Sequence, residues 1–130
     1  MKFAIVVYGP PYTSEATHSA LHFARAAIDS GNEIYRVFFY HDGVYNGNAA
    51  VSPPQDEQDI HNDWSAFAND HGIELIVCIA SSLRRGMLDD TEASRYEKSA
   101  STIEPPFRVS GLGQLIDAGL NADRVVTFGV

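Results

Sequence analysis

Glu74-Leu75-Ile76-Val77-Cys78-Ile79-Ala80-Ser81-Ser82-Leu83-Arg84-Arg85-Gly86 is the stretch on which the fold of this chain turns. It starts as an apolar, β-branched, nearly uncharged run, so Ile73 to Ile79 reads as a strand buried on both faces. It ends in small polar residues and two arginines. Ala80 to Arg85 therefore reads as a helical turn, with Ser81 or Ser82 as its N-cap. Cys78, the only cysteine in the chain, falls at the strand's carboxyl end. In open α/β sheets ligands bind outside those ends. Two readings of the thiol stand side by side. A helix N-terminus and nearby arginines favour thiolate, the reactive form. A free cysteine is also among the most buried residue types and packs as a small hydrophobe. Arg84 and Arg85 divide in the same way, between an electropositive rim for the thiolate and solvated charges at a helix end.

Outward from this stretch, strand and helix alternate. Lys2 to Tyr8 is a first strand, broken by Gly9-Pro10-Pro11-Tyr12, because proline cannot continue a ladder. Thr13 or Ser14 caps a helix running to about Ser30, with Ala16, Ala20, Phe23, Ala24, Ala27 and Ile28 as one apolar stripe and Gly31 after it. Glu33 to Tyr40 is a second strand. His41 to Gln55 is a long loop rich in Gly, Asn and Pro, and loops of this length in a compact domain are usually functional. Asp56 caps the next helix, whose inner face is Ile60, Trp64, Phe67 and Ala68, and Gly72 closes it. After the Cys78 strand, Asp89 to Thr102 is a loop or loose helix. Phe107 to Ser110 is a strand, Leu112 to Leu120 a helix and Arg124 to Phe128 a last strand. Five strands alternating with helices imply one three-layer α/β/α domain over residues 1–130, around a mainly parallel sheet of flavodoxin- or Rossmann-like type. A flavodoxin-like strand order, 2-1-3-4-5, puts the Gly9–Tyr12 loop beside Cys78 and makes Gly9 and Tyr12 supporting site residues.

Composition narrows the function classes. Nine basic against seventeen acidic residues give a net charge of −8, which argues against direct nucleic-acid binding through clustered Lys and Arg. No apolar run is long enough to span a membrane, and Met1 to Val7 is too short for a signal peptide, so a cytoplasmic protein is expected. A single cysteine excludes an internal disulfide and a CxxC pair.

Other constellations are weaker. Ser110-Gly111-Leu112-Gly113 lacks the third glycine of a dinucleotide fingerprint and the lysine of a P-loop, and reads as a tight turn with an N-cap. His18 and His22 are four apart but share a polar face with Arg25 and Asp29, and no glutamate stands between them as in zinc proteases. Asp56, Glu57 and Asp59 read as first-turn acids. His41-Asp42 reads as hydrogen-bonded loop structure. There is no Gly-x-Ser-x-Gly elbow.

Several blocks, in order along the chain, carry a family resemblance: Val37-Phe38-Phe39-Tyr40 with Gly43-Val44-Tyr45-Asn46, Cys78 followed by Leu83-Arg84-Arg85-Gly86, Ser110-Gly111-Leu112-Gly113, and Asp123-Arg124-Val125-Val126. The chain resembles the DsrE/TusD sulfur-relay proteins of the DsrE-like superfamily, essentially from end to end. The resemblance implies a cytoplasmic sulfurtransferase subunit in which Cys78 carries a persulfide and no metal or organic cofactor is required. It implies a hexamer with paralogous subunits of TusB/TusC or DsrF/DsrH type, a donor of TusA type and an acceptor of TusE/DsrC type. His41-Asp42 and Pro53-Pro54-Gln55-Asp56 look like the DsrE branch, which serves dissimilatory sulfur oxidation; Gly43-Val44-Tyr45-Asn46 looks like the TusD branch. The TusD branch, passing sulfur towards 2-thiouridine at the tRNA wobble position, is the more widespread and is the expectation adopted.

Two readings from other classes stay open: a non-catalytic structural subunit with Cys78 merely buried, and a small-ligand binding module using the sheet's crevice. The loop's Val44, Tyr45, Ala49, Ala50 and Val51 are expected to be exposed in a monomer, so an isolated chain should form a homo-oligomer or be poorly soluble.

Overall fold

The structure is a computed structural model that describes residues 1–129. Strand β1 (Lys2–Val7) leads to helix α1 (Ala16–Asp29) and strand β2 (Glu33–Phe39). A 3-10 helix (His41–Gly47) precedes α2 (Ile60–His71). Then come β3 (Glu74–Cys78), α3 (Ile79–Arg84), α4 (Asp90–Arg95), β4 (Phe107–Ser110), α5 (Gly113–Asn121) and β5 (Arg124–Phe128). All pairings are parallel, as βαβ crossovers require.

The strand order is β4-β3-β2-β1-β5, not the expected 2-1-3-4-5. Three successive crossovers each move one strand further in the same direction, and only the α5 crossover returns to the far side of β1. Right-handed crossovers advancing in opposite directions put their helices on opposite faces. The contacts agree. Phe39 meets Trp64 of α2 edge to face, with ring centroids 5.3 Å apart. Its neighbour on the opposite face, Arg36, donates to Gln114 O (2.7 Å) and Asp117 Oδ2 (2.9 Å) of α5. Periodicity gives the same helices and strands for either order, because it does not see which neighbour a strand chooses.

Local chemistry sets the element ends. Ser14 Oγ accepts from Ala16 N–H (3.0 Å), and α1 starts at Ala16, one residue later than a Ser14 cap would place it. The α2 cap is Asp59, accepting from Asn62 N–H (3.1 Å), and not Asp56. The segment around Asp56 is held in a turn, with Glu57 N–H donating to Pro54 O (3.0 Å). Gly72 takes φ 66° and ends α2 in the left-handed conformation that glycine favours. The polar stretch after Gly86 contains a true short helix, α4, capped by Asp89 onto Glu92 N–H (2.8 Å). The core is continuous from Ile5 and Val7 through Val37, Phe39 and Trp64 to Leu75, Val77 and Phe107.

One irregularity anchors α5. The β1–β2 register slips between Phe3 and Ala4, which face Ile34 and Arg36 respectively. Tyr35 is the extra residue of a bulge, so Tyr35 and Arg36 both reach the same helix. Tyr35 Oη donates to Asp117 Oδ2 (2.8 Å). Buried Arg36 is held between Asp117 and Glu74 (2.8 Å), and Glu74 also pairs with Arg108. A buried cation needs this degree of pairing to offset its desolvation.

The hydrogen bond from Tyr35, and after it that from Arg36, hold the Asp117 carboxyl below its usual range. Folding therefore favours ionised Asp117. That contribution is complete above the unfolded carboxylate value of about 3.9 and is lost as pH falls through the lower folded value. Asp117→Asn should lower the urea midpoint by a constant amount at neutral pH, and the gap to wild type should close below about pH 4. A gap that persists unchanged into acid would contradict the assignment.

Candidate active site

The carboxyl ends of the strands form one rim. Cys78 ends β3 opposite Ser110 of β4, and on the other side the β2–β3 register ends at Phe39 and Val77, immediately before Tyr40 and Cys78. Strand alternation, with Glu74 bonded to Arg36 and Arg108, puts Glu74, Ile76 and Cys78 on the face that carries Arg36. Tyr40 stacks on His41 (4.3 Å) and Tyr8 (5.5 Å), so an aromatic group lies on the rim where β1 and β2 end. His41 holds φ 50°, a left-handed conformation uncommon for a side-chain-bearing residue.

Cys78 itself is 2% exposed and belongs to the continuous core. It is also the N-cap residue of α3, with no side-chain cap bond. Neither Ser81 nor Ser82 caps this helix, as the sequence had suggested. Strand passes into helix without an intervening loop, which carries both serines inward, and both are fully buried. Ser81 Oγ accepts from His41 N–H (3.1 Å), and Ser82 Oγ has no partner.

The long loop expected at His41 to Gln55 is built, not loose. Its 3-10 helix lies on the sheet at two glycines. A Cβ at Gly43 would come 2.0 Å from Val7 O, and one at Gly47 would come 2.9 Å from Val77 Cγ1. Between them Asn46, fully buried, donates to Gly9 O (3.1 Å) and Gly43 O (2.9 Å). It accepts from Thr17 Oγ1 (2.8 Å), which accepts from Trp64 Nε1–H (2.8 Å). Sequence reasoning missed this network. Its signals were a threonine within the small apolar stripe of α1 and an asparagine bracketed by glycines. Val44, expected to be exposed, is buried under the same turn, while Tyr45, Ala49 and Val51 are half-buried and Ala50 is exposed.

The other named residues are dispersed by the strand order, because β2 separates β1 from β3. The Gly9–Tyr12 loop instead serves the helices. A Cβ on Gly9 would meet Ala16 Cβ at 2.4 Å, and Tyr12 Oη donates to Gln58 O (3.0 Å) and accepts from Ile60 N–H (3.3 Å) at the start of α2. Arg85 Nε pairs with Asp42 (2.8 Å) and its Nη1 donates to Ser81 O (3.0 Å), tying α3 to the 3-10 helix. Arg84 is exposed and lines a separate cavity. Among the described residues, no three His, Cys, Asp or Glu side chains are grouped for a metal ion.

The Asp42–Arg85 pair and the His41–Ser81 bond together latch the 3-10 helix against α3. A partly exposed ion pair contributes about 0.2–1 kcal/mol, so Arg85→Gln should raise the rate of iodoacetamide alkylation of Cys78 roughly one-and-a-half- to five-fold if latch opening limits access. Mass spectrometry of timed aliquots measures it. A slower rate in the variant would instead assign Arg85 to thiolate stabilisation.

Comparisons with known proteins converge on this architecture. The chain is 50% identical to a putative sulfurtransferase DsrE of Allochromatium vinosum, over 99% of both chains. It is 46% identical to the sulfurtransferase TusD of Salmonella enteritidis, over 98% of this chain and all of that one. Among solved structures it resembles the ychN protein from E. coli with a TM-score of 0.77 at 24% identity, covering 98% of this chain and 99% of that one, a likeness of fold. The sequence profile of the DsrE/DsrF-like family matches residues 1–128. By that match and by these full-length identities, the chain belongs to the DsrE/DsrF-like family.

Proposed function

We propose that this chain is a sulfurtransferase subunit that carries sulfur on Cys78. The observation that supports it most is position: the chain's one thiol ends a parallel strand at the carboxyl rim, in a protein half identical to a putative sulfurtransferase from end to end. The Cys78 thiolate attacks the outer sulfur of a donor protein's persulfide. The donor S–S bond breaks, the donor leaves as thiolate, and Cys78 becomes the persulfide. An acceptor thiolate then attacks that outer sulfur and Cys78 leaves as thiolate, so each transfer is balanced exchange at sulfur. With no second thiol in the chain, the persulfide cannot resolve internally as a disulfide. Burial of Cys78 gives the carried sulfur shelter between transfers, and partner docking or latch opening gives it access.

The pathway adopted is sulfur relay towards 2-thiouridine at the tRNA wobble position, in line with the TusD relatives, in a cytoplasmic setting and without direct tRNA contact. A second reading, sulfur oxidation, is favoured by the DsrE relative's higher identity and by DsrE-like His41-Asp42 and Pro53-Pro54-Gln55-Asp56. No helix among the described residues is long and apolar enough to cross a membrane.

Assembly with paralogous subunits into a hexamer, or with itself when isolated, is part of the proposal. Its support lies on α5, not on the 41–55 loop. Leu112, Ile116 and Leu120 recur every four residues on an outward face, Ile116 at 64% and Leu120 at 81% exposed, near exposed Val125 on the edge strand β5. Exposed apolar patches of this kind mark protein interfaces.

Two measurements test the proposal. Incubated with a persulfide donor system, the wild type should gain the mass of sulfur, removable by reductant, and Cys78→Ser should not. Equal gain by both proteins would sink the transfer role. In light scattering, Ile116→Glu with Leu120→Glu should shift the isolated chain towards monomer and weaken assembly with co-expressed paralogues. An unchanged oligomer would place the interface elsewhere.

A further inference from the structure

A cavity of about 590 Å³ lies beside the carboxyl end of α3, against the turn that follows α4. Leu83, Leu88, Tyr96 and Ala100 supply apolar wall, and Arg84 and Lys98 supply two cations. No carboxylate lines it, in a chain of seventeen acids and nine bases. Arg36, Arg85, Arg95 and Arg108 are all held in ion pairs. Among the described residues, Arg84 and Lys98 are in none, nor are Lys2, Arg25 and Arg124, which do not line this cavity. The wall is shaped by backbone: Glu97 turns at φ 55°, Lys98 N–H donates back to Ala93 O (2.8 Å) and Tyr96 N–H to Glu92 O (3.0 Å). Cys78 caps the other end of the same six-residue helix, about 9 Å away at 1.5 Å per residue.

We propose that this cavity seats an acidic peptide segment, with an apolar anchoring side chain, of the protein that exchanges sulfur with Cys78. The assignment of that protein rests on the sulfur-transfer proposal above. Two unpaired cations over an apolar floor attract a carboxylate-bearing segment and discriminate against a basic one, while the rest of this acidic surface repels it. Half-exposed Tyr96 offers the amphipathic ring that anchors such contacts. A peptide, rather than a free small anion, suits a cavity one short helix from a thiol whose exchange partners are themselves protein thiols. Docking here brings the partner's reactive sulfur within a few residues' reach of the α3 cap.

The test uses three synthetic probes: acetyl-Leu-Glu-Glu-Leu-amide, its Gln-Gln counterpart and its Lys-Lys counterpart. Each is titrated into the full-length, nitrogen-15-labelled protein. The acidic peptide should shift the amides of Leu83, Gly86 and Ala100 and bind about tenfold more tightly than the neutral one, as charge-assisted contacts imply. The Lys-Lys peptide should leave those amides unmoved. Arg84→Glu with Lys98→Glu, checked as folded by its spectrum, should abolish acidic binding and admit the basic peptide. Equal binding of acidic and neutral peptides, or shifts confined to another surface, would overturn the proposal. So would N-acetylglutamate matching the peptide, which would make the site one for small anions. Loading of wild-type Cys78 by inorganic polysulfide is read separately. Its failure would count against sulfur transfer and leave the peptide result standing.

Discussion

A single buried amide holds the carboxyl end of this sheet together. Asn46 uses both donors and its acceptor, on Gly9 O, Gly43 O and the Thr17 hydroxyl, and Thr17 is in turn fixed by the Trp64 indole. The chain of bonds joins the loop after β1, the 3-10 helix, α1 and α2, all inside the core. Bonds linked in this way polarise one another, and each unpaired member would be costly away from water. Because the amide is satisfied only in one arrangement, the 3-10 helix has one seat. That seat brings the Gly43 and Gly47 backbone onto the ends of β1 and β3, closer than any side chain allows. Everything described around Cys78 inherits its position from this constraint.

Strand order then decides what the thiol meets. With β2 between β1 and β3, the neighbours of Cys78 at the rim are the residues ending β2 and β4, and the first loop is spent on helix packing. The segment linking β2 to α2 takes the place that the first loop would otherwise occupy. It reaches α3 through His41 and Asp42, where Ser81 and Arg85 receive it. A thiol on a rigid strand end, covered and latched, is suited to holding a labile sulfur atom away from bulk thiols.

The far side of the sheet is organised by charge. Arg36 is nearly inaccessible yet paired on two sides, and the bulge at Tyr35 doubles the contacts to Asp117. Asp117 ties α5 to the sheet, and the flank of the helix that carries Leu112, Ile116 and Leu120 is left exposed. The same helix thus joins the sheet through charge and carries exposed apolar side chains on its outer flank.

The sequence by itself determined the five strands, the three longer helices and their order along the chain. Period-2 and period-3.6 patterns, glycine stops at Gly31 and Gly72, and the buried run ending in Cys78 were all legible, because local backbone and burial preferences are written in neighbouring residues. The position of the lone cysteine at a strand end was legible for the same reason. The order of the strands was not, since every βαβ unit reads alike whichever neighbour it joins. Nor could the sequence show that Asn46 meets Thr17 and Trp64, that Arg85 is engaged by Asp42 while Arg84 faces a cavity, or that Tyr12 belongs to α2. These are contacts between residues more than twenty-five apart in the chain, apart from the placing of Arg84. Only packing brings them together: a buried polar group must find its partner wherever the folded chain supplies one.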